Sequence, residues 1–127
     1  MNAEIYIVEL GRPATANDFM RWHWHQRAEH TREWRLAAKV LWRLALGPPP
    51  TRSVTEAVII ATPLVSNWRG LPDAAACYPA AKAAIDGTVD AGLLIDDSPE
   101  HVRRIIFEGP EFYHKNGLRL KVEGEYV

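Results

Sequence analysis

The chain has 127 residues, of which 47% are hydrophobic and 24% charged, a composition typical of one folded domain spanning residues 1–127. No apolar run approaches the length of roughly 18 residues that a membrane-spanning helix needs, and the acidic residues of MNAEIYIVEL do not fit a signal peptide. The lone Cys77 excludes a disulfide framework and a multi-cysteine zinc site. We therefore expect a cytoplasmic protein with no membrane partner.

The formal net charge of −1 at pH 7 hides an uneven distribution. Residues 12–69 carry nine Arg and Lys against four Asp and Glu, a local net of +5, whereas the rest carries six against twelve, a net of −6. Such asymmetry is typical of a protein with one polyanion-binding half. Helix faces solvated by mixed charge would give the same composition, so both interpretations stay open.

The first half of the chain predicts a strand followed by a long helix. Residues 4–10 are rich in β-branched and aromatic types, and Gly11 and Pro13 end this strand. Thr15 or Asn17 is suited to cap a helix start, and no secondary structure is predicted for the aromatic and basic stretch 21–25. From about Glu29 to Leu46 the periodicity is helical, with an apolar stripe of Trp34, Ala38, Leu41 and Ala45 that Ala37 and Leu44 widen.

The second half predicts strands around another helix. Residues 54–62 predict a strand that is buried on both faces toward its end, and 66–76 predict a loop. A helix is expected from Tyr78 or Pro79 to Ala91, followed by strands at 102–108 and 118–123. The order β–α–β–α–β–β predicts an α+β domain, a two-layer structure with a mixed β-sheet of four or more strands and two main helices packed on it.

Acidic residues gather around the second predicted helix. Lys82, Asp86 and Asp90 follow at i, i+4 and i+8 and share a helix face, while Asp73 precedes the helix and Asp96 and Asp97 follow it. Carboxylates collected at one place repel unless a cation holds them, and Mg²⁺ takes one or two carboxylates together with water and a substrate phosphate. The plain alternative is a surface Lys82–Asp86 ion pair beside an ordinary turn.

Residues 82–97, KAAIDGTVDAGLLIDD, resemble the signature of the RusA family of Holliday-junction resolvases. That signature has a Lys, an Asp four residues later, and an Asp-Asp pair after Leu-x-x-Ala-Gly. Residues 13–17, PATAN, are similar to the family's Pro-x-x-x-Asn, and 33–35, EWR, to its Trp-bearing first helix. The resemblance implies a RusA-like fold and an endodeoxyribonuclease of DNA recombination and repair, a homodimer that cuts branched DNA at four-way junctions.

The resemblance also implies roles for individual residues. Asp73 and Asp97, with Asp96 as a substitute, would hold Mg²⁺ or Mn²⁺. Lys82 would contact the scissile phosphate, and Asp86 would orient Lys82. Asn17, in the PATAN motif, would contact nucleic acid.

The sequence departs from the family in the loop before Lys82, where two Asp ligands and an Asn are expected. An alignment without gaps places the two Asp positions at Ala76 and Tyr78, whereas the preferred alignment, anchored at Pro79, places them at Asp73 and Ala75 with the Asn at Ala76. In both alignments at least one expected carboxylate is missing.

Further residues suit contact with DNA or a partner. Arg69 precedes the acidic loop and is placed to meet a phosphate, while Arg21, Trp22 and Trp24 suit stacking on bases or packing in a core or dimer interface. His23, His25 and His30 suit a metal site or, with better support, a partner or phosphate surface. We expect Cys77 to be a small core residue.

Two rival functions remain open. A non-catalytic RusA-fold protein that binds DNA or a protein partner would explain the Ala at an expected ligand position and the slightly acidic charge. An enzyme acting on a different phosphate-bearing substrate is the other.

Overall fold

The computed structural model describes residues 3–47, 53–67 and 76–126. The elements in chain order are β1 (Ala3–Leu10), α1 (Ala16–Arg21), α2 (Trp24–Leu46), β2 (Val54–Val65), α3 (Tyr78–Asp90), β3 (Val102–Phe107), β4 (Glu111–Phe112) and β5 (Gly117–Tyr126). The predicted α+β class and the order of the main elements are confirmed. The structure adds the short elements α1 and β4.

The strands form one mixed, five-stranded sheet in the order β1-β5-β2-β3, with β4 pairing with the end of β2. Strand β5 lies antiparallel between β1 and β2, whereas β2 and β3 are parallel. As a result, the carboxyl ends of β1 and β2 meet the start of β5 at one edge of the sheet. Leu10 pairs with Leu118 there, and Leu64 pairs with Gly117.

The alternation predicted for the last strand is confirmed. Leu118, Leu120 and Val122 are fully buried in the core, on the sheet face that α2 and α3 cover. The first residue of this strand is Gly117, and a larger residue does not fit there because its Cβ would lie 2.6 Å from the carbonyl oxygen of Leu10. Strand β2 is buried at four successive residues, 61–64, as predicted for its end.

Helix α2 begins at Trp24, five residues before the predicted start. The reason is a cap at His23, whose Nδ1 accepts a hydrogen bond from the backbone N–H of His25, while Gln26 accepts from the His23 backbone N–H. Thr15 caps α1 in the same way through a reciprocal pair of bonds with Asp18. Histidine is a rare capping residue, so the sequence pattern did not reveal this start.

The buried face of α2 differs in part from the predicted stripe. Ala38 is buried and Trp34 and Leu41 pack against the core, but Trp42 is buried as well. The other three predicted positions are exposed: Ala37, Leu44 and Ala45. Contact with α3 decides the orientation, because Gly87 of α3 lies so close to α2 that a Cβ there would meet Ala38 Cβ at 2.9 Å. The next position of α2 on that face is Trp42.

None of the helices in the described part of the chain combines the length and apolar character that a membrane crossing requires.

Candidate active site on helix α3

Lys82 lies at the centre of a small ion-pair cluster on α3. Its Nζ lies 2.6 Å from Asp97 Oδ2 and 3.2 Å from Asp86 Oδ1. The helix supplies Lys82 and Asp86 one turn apart, and the link that follows α3 brings Asp97 back beside them. Three residues that the sequence analysis singled out are therefore in contact.

The charges of this cluster stabilise one another. A hydrogen bond with Asp97 is the main cause that raises the pKa of Lys82, and the same bond lowers the pKa of Asp97. The ammonium and the Asp97 carboxylate both stay charged at neutral pH. Their side chains are 41% and 49% exposed, so solvent screens the pair and its contribution to folding stability is small. Because both side chains are partly exposed, a ligand can reach the cluster from solvent.

Asp96 lies next to this cluster but takes another partner. Its Oδ1 accepts a hydrogen bond of 2.9 Å from the backbone N–H of Ser98, which closes the turn after α3. Hydrogen bonds from Ser98 lower the pKa of Asp96, so this carboxylate also remains ionised near Asp97. The structure thus places Asp96 beside the cluster without a contact to Lys82.

Asp90 does not join the cluster, although it shares the i, i+4, i+8 series with Lys82 and Asp86. Arg35 of α2 donates to both of its carboxylate oxygens, at 2.5 and 2.8 Å. Each four-residue step turns about 40° around a helix of 3.6 residues per turn, so the third member faces α2. Asp90 therefore links α2 to α3, and only Lys82 and Asp86 of this series belong to the site.

Tyr78 extends the site toward the amino end of α3. It lies one turn before Lys82, its side chain is half exposed, and its ring centroid lies 5.9 Å from that of Phe107 in β3. The sequence assigns no definite role to this residue, although its phenol, five positions after Asp73, is able to donate a hydrogen bond to a phosphate or a water. Its position adds an aromatic surface to the cationic and acidic groups around Lys82.

The residues expected to contact DNA fall into two groups. Asn17 and Arg21 are both exposed and lie one turn apart on α1. The backbone N–H of Ala16 donates to the carbonyl of Ala76 over 2.7 Å, which joins the start of α1 to the segment that leads into α3. Asp73 and Arg69 lie outside the described residues, so the structure does not place these two.

The carboxylates present fit a hard divalent cation by donor type, because Mg²⁺ and Mn²⁺ prefer oxygen ligands. Among the described ranges, no group of three or more His, Cys, Asp or Glu is arranged as a metal site, and the expected ligand Asp73 lies outside those ranges. Asp97, with Asp96 next to it in the chain, would hold such a cation. When bound, it neutralises phosphate charge and lowers the pKa of a coordinated water.

The three histidines of the amino-terminal half take separate positions. The rings of His23 and His25 stack at 5.0 Å at the start of α2, while His30 packs 5.2 Å from Phe19 and 5.6 Å from Trp34. The Nε2 atom of His30 is buried and has no hydrogen-bond partner in the described part of the structure. His30 is therefore part of an aromatic cluster between α1 and α2, and a shared metal site is not favoured.

Two further features were only partly visible in the sequence. Cys77 is buried as expected, and burial raises the pKa of its thiol to about 11, which makes it a poor nucleophile. A cavity of about 250 Å³ lies at the sheet edge where β1 and β2 end, and it was not predicted.

Compared with known proteins, the chain matches no family model, and no curated protein matches it. The resemblance to the RusA family therefore stays a prediction based on the residues themselves.

Proposed function

We propose that the chain is a RusA-like, structure-selective endodeoxyribonuclease that resolves four-way DNA junctions by hydrolysing phosphodiester bonds with Mg²⁺ or Mn²⁺. One observation carries the proposal: Lys82 Nζ is within hydrogen-bond distance of both Asp86 and Asp97. These are the residues to which the resemblance gives catalytic and metal-binding roles. A surface ion pair alone would not need the third member.

Lys82 is suited to stabilise the negative charge that develops on the phosphate. Its Nζ would exchange the contact with Asp97 for a phosphate oxygen, while Asp86 keeps the side chain oriented from one turn further along α3. Asp97 would then be available to the cation, together with Asp73 and with Asp96 nearby. Lys82 and Asp86 are thus proposed to act on the phosphate, and the other three carboxylates on the metal.

The exposed residues of α1 supply a surface for the DNA backbone. Asn17 and Arg21 point to one side of this short helix, and Arg69 is proposed to add a third contact. A four-way junction has two-fold symmetry, so we propose that two copies of the chain form a homodimer that places one site on each of two strands. We place this activity in the cytoplasm, in keeping with an unpaired, buried Cys77.

The test is a nicking assay on a labelled synthetic four-way junction with Mg²⁺ or Mn²⁺. Lys82→Met removes the ammonium and keeps the length of the side chain, so the nicking rate should fall by at least about tenfold. Lys115→Met, at an exposed position before β5, is the matched control and should nick like the wild type. Equal rates for both variants would contradict the role of Lys82.

A second candidate follows from Ala75 and Ala76, which stand where the family has a ligand Asp and an Asn. The chain would then bind junctions, or a protein partner, without cutting. The double substitution Ala75→Asp/Ala76→Asn separates the two candidates. A wild type that retards junctions without nicking them, and gains nicking in the double variant, would establish the binding protein. A wild type that already nicks would exclude it.

A further inference from the structure

The cavity of about 250 Å³ lies where the carboxyl ends of β1 and β2 meet the start of β5. Five polar side chains line it: Arg12, Thr15, Asp18, Asn67 and Asn116. Its apolar lining includes Pro63 and Leu64 of β2. The proposed nuclease chemistry uses none of these residues, although the cavity is also lined by Cys77, which directly precedes α3.

The walls of this pocket are built from fixed elements. Leu64 and Gly117, which both line it, are fixed by their pairing in the sheet. The Asn116 side chain is held in place because its Oδ1 accepts hydrogen bonds from the Ser66 backbone N–H at 2.9 Å and from the Ser66 hydroxyl at 3.2 Å. Asp18 is held as well, because its Oδ2 accepts a hydrogen bond from the Thr15 backbone N–H at 2.9 Å. Asn116 and Asp18 are therefore positioned before any ligand binds.

These bonds leave a definite set of donors and acceptors for a ligand. The Asn116 oxygen is used by Ser66, so its amide N–H groups are the donors that it offers. Arg12 is exposed, and no carboxylate of the described residues pairs with its guanidinium. Asp18 offers Oδ1 as an acceptor. The pocket thus presents the donor side chains of Arg12 and Asn116, the Asp18 carboxylate, and the apolar surface of Pro63 and Leu64.

We propose that this pocket binds a single guanine base. Guanine has N–H donors at N1 and N2 that suit the Asp18 carboxylate, and acceptors at O6 and N7 that suit the Arg12 guanidinium and the Asn116 amide. The cavity is smaller than the roughly 300–1,000 Å³ of pockets for drug-sized ligands, so it suits one base. A phosphate is disfavoured by the carboxylate, and adenine presents an acceptor where Asp18 needs a donor.

The test measures binding by fluorescence anisotropy with labelled single strands in EDTA, so that cleavage has no influence. Three strands are compared. Each is a run of twelve thymidines with a guanine, an adenine or an abasic site at its centre. Guanine should bind about tenfold tighter than adenine, as one good set of base contacts provides. Equal affinities for the guanine and adenine strands would overturn the proposal.

Two substitutions identify the pocket as the source of this preference. Asp18→Asn keeps an oxygen for the Thr15 N–H but replaces the acceptor that faces the ligand by a donor. Arg12→Gln shortens an exposed donor side chain. Both variants should fold, and both should lose most of the tenfold preference for guanine. Glu29→Gln, at an exposed position of α2, is the control and should keep it. A preference that persists in Asp18→Asn would overturn the proposal.

A second arm distinguishes a base within a strand from a free nucleotide. GMP and AMP are titrated into the wild-type protein while its melting temperature is followed. If GMP but not AMP raises the melting temperature, and the guanine strand also binds more tightly, the pocket accepts guanine both from free nucleotides and from DNA. If only the guanine strand shows a preference, the pocket accepts guanine only within a DNA strand. Junction nicking is measured in a separate assay. A guanine preference without nicking would contradict only the proposed nuclease activity. Nicking without a guanine preference would contradict only the proposed guanine pocket.

Discussion

Trp42 and Thr88 join the two long helices through a buried hydrogen bond. The indole Nε1 donates to Thr88 Oγ1 over 2.8 Å, and that hydroxyl donates to the carbonyl of Ala84 over 2.8 Å. Both side chains are almost completely buried. Because the indole N–H and the Thr88 hydroxyl both have partners, a large aromatic residue is tolerated where α2 meets α3. The bond fixes the orientation of α3, which carries the candidate site.

Trp42→Phe should destabilise the fold by about 2 kcal/mol. The variant loses one hydrogen bond, worth about 1 kcal/mol, and leaves a gap where the second ring was, while Thr88 keeps its bond to Ala84. Urea unfolding measures the free energy of unfolding of each variant. The control Trp24→Phe, at an exposed position, should change that free energy by less than about 0.5 kcal/mol. Equal stabilities of the two variants would contradict the contact.

Gly87→Ala should destabilise the fold although alanine is the better helix former. An added Cβ would lie 2.2 Å from the backbone oxygen of Arg35, and backbone cannot move aside as a flexible side chain can. Overpacking costs about 1–3 kcal/mol or more, which outweighs the helix-propensity gain of about 1 kcal/mol. Gly109→Ala, with open space around its Cβ, is the control in the same urea titration and should be nearly neutral. A stabilised Gly87→Ala would show that the helices lie further apart.

His30 should make the protein less stable in mild acid. Burial lowers its pKa below the usual 6.5, although Glu33 and Asp18 act in the opposite direction. Because its pKa is lower in the folded state than in the unfolded state, His30 binds fewer protons when the protein is folded. Its contribution to folding stability is therefore complete above about pH 6.5 and is lost as the pH falls toward the pKa of the folded state. The melting temperature should therefore drop below about pH 6.5.

The variant His30→Phe tests the source of this drop, because it keeps an aromatic ring beside Phe19 and Trp34 but has no proton to bind. Melting curves from pH 5 to 8 should show a smaller decline for this variant. His114→Asn, at an exposed site, should behave like the wild type. An unchanged decline in His30→Phe would assign the acid sensitivity to other groups.

The fold was largely predictable from the sequence because its periodic patterns are strong. The strict alternation of Leu118, Leu120 and Val122 set the inner face of β5, and the prolines after Leu46 and the glycine at position 92 bounded the helices. The rotation of α2 was not predictable, since it depends on the close approach at Gly87, a contact between residues far apart in the chain.

The candidate site was predictable to a similar extent. Helical spacing placed Lys82 beside Asp86, but the same spacing predicted Asp90 next to them, where Arg35 of α2 takes it instead. The return of Asp97 to Lys82 depends on the path of the chain after Gly92, which spacing does not give. The pocket at Arg12 and Asn116 combines residues from distant segments, so no local pattern could reveal it.

The most direct test of the central claim maps nicks on a four-way junction for the wild type and Asp97→Asn, each with Mn²⁺ and with EDTA. Glu100→Gln, an exposed acid on the same loop, is the matched control. We expect paired nicks on opposite strands for the wild type and the control, only with metal, and none for Asp97→Asn. Metal-independent nicks, an Asp97→Asn variant as active as the wild type, or no nicks at all would contradict a nuclease centred on Lys82 and Asp97.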